Sequence, residues 1–115
     1  MTVEQVRALC LAFPHVTEDV KWEHDLVFSI GGKMFAINNL EPGGMWLSFK
    51  CSPEDFAELS ERPGCRPAPY LARAQWISLE TPQALPRPTI ERLLRQAYDL
   101  VFAKLTKKAR RELEG

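Results

Sequence analysis

A chain of 115 residues with 45% hydrophobic and 26% charged content is long enough to bury one sizeable core and too apolar for general disorder. A formal net charge of zero excludes the broad attraction of a strongly basic polyanion binder, and no apolar run reaches the roughly 20 residues of a membrane span. The charge is nevertheless uneven: up to Glu61 there are 4 basic and 10 acidic residues, and from Arg62 onward 11 and 5, which permits a basic patch.

Taken in order, Thr2 and Gln5 fit a capping box, and Val3, Val6, Leu9, Cys10 and Phe13 recur at helical spacing until Pro14 stops the helix. This opening reads as an amphipathic helix rather than a signal peptide, so a cytoplasmic location is expected. His15–His24 reads as a polar connector containing Trp22. Gly31-Gly32 then supplies a two-residue turn, since glycine takes positive φ without a Cβ clash. Folding there sets Ile30 opposite Lys33, Ser29 opposite Met34, Phe28 opposite Phe35, Val27 opposite Ala36 and Leu26 opposite Ile37. Leu26, Phe28, Phe35 and Ile37 thereby share the core face.

Glu41-Pro42-Gly43-Gly44 makes a second turn, and Met45–Lys50 a third strand. Ser52 is an N-cap with Pro53 at the first helical position and Glu54 and Asp55 in the first turn; Phe56 and Leu59 face inward until Pro63-Gly64. After the Pro-rich loop Arg62–Pro69, Tyr70–Arg73 is a candidate short strand and Gln75–Glu80 alternates as a fuller one. Beyond the breaker Leu85–Pro88, a helix over Thr89–Leu105 buries Ile90, Leu93, Leu94, Ala97, Tyr98, Val101 and Leu105. The expected fold is a single two-layer α+β domain over 1–115, its core about 2–105 and its charged tail 106–115 adding one or two helical turns. An antiparallel sheet of 4–5 strands carries helices on one face, in the order α-β-β-β-α-β-α.

Strand alternation turns Trp46, Ser48 and Lys50, together with Trp76, Ser78 and Glu80, away from the helices, beside Ser29, Met34 and Asn38. Two indoles, small polar groups and a lysine suit a surface that stacks a base or sugar and holds a phosphate; the alternative is a smaller second core under the Pro-rich loop or a partner. Lys33, next to the hairpin tip, is placed for a phosphate contact or is simply solvated. Arg62, Arg66, Arg73, Arg87, Arg92 and Arg95 could extend a basic surface.

Signs of catalysis are thin. Cys51 precedes a helix N-terminus, which can lower a thiol pKa, but no spacing ties it to His15 or His24. Those two histidines, nine residues apart in an acidic stretch, make a weak metal pair. Cys10, Cys51 and Cys65 are odd in number without a CxxC and read as free thiols. There is no P-loop, GxGxxG or GxSxG, and Lys107–Arg111 is a solvated helix end. No enzyme activity, cofactor or metal is expected.

Six stretches carry a resemblance to the MmcQ/YjbR family: Trp22-Glu23, Gly32-Lys33-Met34-Phe35-Ala36, Leu47-Ser48-Phe49-Lys50 leading to Pro53, Pro69-Tyr70-Leu71, Trp76-Ile77-Ser78 and Tyr98-Asp99-Leu100-Val101. They run in the family's order from Phe13 to about Leu105. The resemblance implies a compact α+β domain, likened to secretion chaperones and to a "double wing" DNA-binding arrangement, and it carries no agreed catalytic residues. Many members follow the tyrosine with His and later Lys; here Leu71, Ala72 and Arg73 follow Tyr70, so a role for that histidine does not transfer.

The expected function is non-enzymatic DNA binding, with the Gly31-Gly32 hairpin and a neighbouring hairpin as wings. Lys33, Lys50 and Arg73 would sit on phosphates, and Trp46 and Trp76 would pack on sugar or base. The rival is a protein- or peptide-binding module resembling a secretion chaperone, a monomer or weak homodimer. A third reading is a closed small-molecule cavity between the Pro-rich loop and the sheet, lined by Trp22, Tyr70 and Trp76.

Overall fold

The sheet grows outward from the Gly31-Gly32 turn, where both glycines adopt positive φ (60° and 79°) and join β2 (Asp25–Ile30) to β3 (Lys33–Asn39). A computed structural model describes residues 1–41 and 43–114. Helix α1 (Val3–Leu11) is followed by β1 (Thr17–Lys21), β2, β3, β4 (Leu47–Lys50), α2 (Pro53–Ser60), β5 (Cys65–Pro67), a 3-10 turn (Ala72–Ala74), β6 (Trp76–Leu79), α3 (Arg87–Ala103) and α4 (Lys107–Glu114). The strands form one antiparallel sheet in the order β1-β2-β3-β4-β6-β5. The α+β class and the antiparallel sheet are as expected, with six strands instead of 4–5. Side chains of α1, α2 and α3 share one core with one face of this sheet, including Val6, Phe28, Phe49, Leu59, Leu79 and Leu94.

The local signals act as read. Thr2 and Gln5 close a capping box, and the Ser52 hydroxyl accepts from Asp55 N–H ahead of Pro53. Three expectations need correction. The polar stretch after Pro14 contains an edge strand, β1, with Glu18 opposite Phe28 and Asp19 opposite Val27; its partner supplies the apolar side chains, so its own sequence need not. The short strand near the Pro-rich loop is Cys65–Pro67, an edge position where proline is tolerated, and 72–74 is a 3-10 turn. The charged tail adds about two helical turns, as expected, in α4, capped by Thr106 accepting from Ala109 N–H at 3.0 Å. The second turn and the tail each include a residue, Pro42 and Gly115, outside the described residues.

The third correction concerns register. Ile30↔Lys33 and Ser29↔Met34 pair as expected, but Phe28 then faces Ala36, Val27 faces Ile37 and Leu26 faces Asn38. Phe35 is the surplus residue of a β-bulge. Its ring enters the core, 6.3 Å from Phe13, 6.5 Å from Phe28 and 5.7 Å from Tyr98. Beyond the bulge β3 presents its other side: Asn38 is buried with its amide donating to Trp46 O at 2.8 Å, while Ile37 moves to the outer face.

Candidate functional site

At the end of the sheet that carries the hairpin tip, four elements converge. Lys33 follows the glycine turn, Lys50 ends β4, Trp76 opens β6 opposite Lys50, and Lys104 follows the last turn of α3. With Met34, Ala74 and Val101 they line a shallow hollow of about 440 Å³. The tip is not a free wing: Gly31 lies under Leu105, whose terminal carbons would stand 2.9 Å from any Cβ added there. Lys50 donates to the Ala74 carbonyl, and its pKa is lowered, first by burial and then by Lys104.

Among the described residues, Lys33, Lys50 and Lys104 form no ion pair. The arginines behave differently: Arg66, Arg87, Arg92 and Arg95 are matched by Glu80, Glu91, Asp55 and Asp99. The expected arginine surface is therefore largely neutralised, whereas among the described residues no carboxylate pairs with the three lysines at the hairpin end.

Of the expected site residues, Lys33, Lys50 and Trp76 meet in the hollow. Arg73 is exposed in the adjoining 3-10 turn but does not line it. Trp76 is only 4% exposed. Residues 68–75 wrap its strand, with Ala68 N–H donating to Trp76 O at 2.9 Å and Trp76 N–H to Leu71 O at 3.2 Å, so its indole backs the hollow instead of offering an open stacking face. Trp46 lies at the opposite end of β4, about 13 Å along the strand. Half-buried against the core, it locks the entry to β4: its N–H donates to Leu79 O and its carbonyl accepts from Asn39 N–H, each at 2.9 Å. The residue missed by sequence reading is Lys104. Its signal was its place between the inward positions Val101 and Leu105 at the end of the α3 stripe.

Cys51 is no activated nucleophile. Burial, reinforced by Asp55, pushes its thiol up to about 12, and Cys10 is pushed as high by burial alone. All three cysteines are free and buried.

A second concavity opens on the outer sheet face. This groove, about 470 Å³, runs between Trp22 at the β1–β2 turn and the Pro69-Tyr70-Leu71 loop, over Met34 and Ile37 and beside Asp25. The cavity expected there, under the Pro-rich loop, is thus an open groove, and Trp76 is absent from its lining.

Fold and sites together define an α+β domain whose sheet bears a lysine hollow at one end and an aromatic groove on its uncovered face. No helix among the described residues is long and apolar enough to cross a membrane. The chain belongs to the YjbR family, whose model matches residues 11–100; Lys104 lies outside that span. The crystal structure of the Deinococcus radiodurans protein DR2400, bearing the DUF419 domain, is similar at 30% identity and a TM-score of 0.86, covering 98% of this chain and 88% of its own. A crystal structure of a Pseudomonas syringae protein shares the fold at 21% identity and a TM-score of 0.70, over 87% of this chain and 98% of its own. No curated protein matches.

Proposed function

We propose that this YjbR-family chain is a cytoplasmic, non-enzymatic DNA-binding domain that receives backbone phosphates in the lysine hollow. The observation that carries the reading is the convergence of Lys33, Lys50 and Lys104 around one concavity with no carboxylate paired to any of them among the described residues. Clustered ammonium groups held on a sheet end and a helix end suit phosphate oxygens, and Arg73 precedes the lining residue Ala74 in the chain. With Trp46 and Trp76 packed away, nothing in the hollow reads base edges, so binding is independent of sequence.

Three phosphate contacts give a log–log salt slope near −2.7, or about 40-fold weaker binding between 50 and 200 mM salt. Fluorescence anisotropy with a labelled duplex at low salt tests this. Lys33→Glu and Lys50→Glu are each expected to weaken binding by about tenfold and to flatten the slope by about 1. Absence of binding at tens of micromolar, or indifference to both substitutions, rejects the reading.

A protein or peptide partner is the second reading, favoured by the exposed apolar side chains Val20 on edge strand β1 and Leu40 after β3. Sedimentation decides whether a homodimer covers them.

A further inference from the structure

We propose that the outer-face groove binds a small alkylated ammonium cation, held between Trp22 and Tyr70 and neutralised by Asp25. This site is separate from the lysine hollow; Met34 lines both concavities and forms the ridge between them.

The rim residues are large aromatics left in solvent: Trp22 is 60% exposed and Tyr70 fully so. Each is carried on left-handed backbone, with φ of 52° and 65°, where a bulky side chain is disfavoured. A tight turn and a loop thus hold two π-faces at the mouth of a groove instead of burying them. Inside, Asp25 is half-buried and, among the described residues, makes neither a side-chain hydrogen bond nor an ion pair, although Lys21 stands opposite it in register. Glu23 in the same turn and Asp19 on the neighbouring strand add negative charge.

A carboxylate beside aromatic faces selects a cation, through charge and through the ring quadrupoles. The floor of Met34, Ile37 and Leu71 offers no acceptor stronger than the Met34 thioether, so a guanidinium or bare ammonium would leave N–H donors poorly matched there, whereas an alkylated head needs none. The groove continues past Asp25 and Ile37 into a smaller, mixed pocket where Asn39, Ser48 and Ser78 stand among Met45, Ala68 and Leu71, and these polar groups can meet the hydroxyl of a short tail. Three of the stretches that carry the family resemblance meet here, Trp22-Glu23, Gly32–Ala36 and Pro69-Tyr70-Leu71, and phosphate binding uses only Lys33 among them.

The test is a titration of the full chain with choline, followed by the Trp22 indole N–H in ¹⁵N–¹H spectra. Its neutral isostere, 3,3-dimethylbutan-1-ol, serves as the control of equal shape. Saturable shifts with choline at millimolar concentration are expected, with binding at least about tenfold weaker for the isostere. Asp25→Asn is expected to lose about tenfold, Tyr70→Ala to abolish the shift, and Lys33→Glu to leave it unchanged. Tyr70 is wholly exposed, so its truncation spares the fold. Equal binding of the isostere, indifference to both Asp25→Asn and Tyr70→Ala, or no saturation by roughly 50 mM overturns the proposal.

Discussion

The lysine hollow and the aromatic groove share a wall residue yet carry opposite charge. In the hollow, Lys33, Lys50 and Lys104 crowd enough that burial and Lys104 lower the Lys50 pKa. In the groove the ionisable group is Asp25, flanked by Trp22 and Tyr70. A net charge of zero therefore describes neither surface, because the sum cancels fields that the fold keeps apart. Binding follows the local field, so a neutral chain can offer one site to a polyanion and another to a cation.

The comparison is broken most completely at Phe35, which sets both the core packing and the direction of the rest of β3. Phe35→Ala is expected to cost about 3–5 kcal/mol, read as a shift in denaturant midpoint, and to disturb both concavities. Next comes the hairpin tip. Gly31→Ala combines a left-handed φ with a collision against Leu105 and should cost about 2 kcal/mol; Gly32→Ala meets only the backbone cost, about 1 kcal/mol, since a Cβ there faces open space. Only the first change should also weaken DNA binding, because only it displaces Leu105 next to Lys104.

On the groove side, Glu23→Gly relieves a residue held at φ 72° and is expected to gain up to about 1 kcal/mol in thermal or denaturant unfolding. The smallest effect is the pH dependence of Lys50. Its folded pKa lies below the ordinary 10.5, so the unfolded chain binds this proton more tightly. Its contribution to stability therefore rises with pH from the lowered folded value to 10.5, while DNA affinity falls as the charge is lost. Lys50→Met should remove this contribution to stability and leave only the part of the affinity loss that comes from Lys33 and Lys104.

What could be read in the chain was local chemistry. The capping box at Thr2, the Ser52-Pro53 helix start, the glycine turn and the α3 stripe each depend on residues a few positions apart. The misses depend on distant neighbours. Strand β1 is polar because its partner β2 provides the apolar face. Trp76 is covered because the segment before it folds back over its strand, a closure that alternation along β6 cannot reveal. Lys104 joins Lys33 only because the end of α3 meets the hairpin through Leu105. The approximate lysine site was legible through Lys33 and Lys50; the packing of both tryptophans was not.

The surplus residue in β3 has a consequence for how relatives are compared. Parity along a strand separates interior from exterior, and Phe35 resets that count halfway. A homologue lacking one residue there would carry Ile37's equivalent inward and Asn38's outward, exchanging the oily floor of the groove for an amide. Two chains could then align well through the hairpin while presenting chemically unlike surfaces to solvent. A one-residue deletion at this point would therefore change the chemistry of the groove floor while leaving the hairpin turn intact.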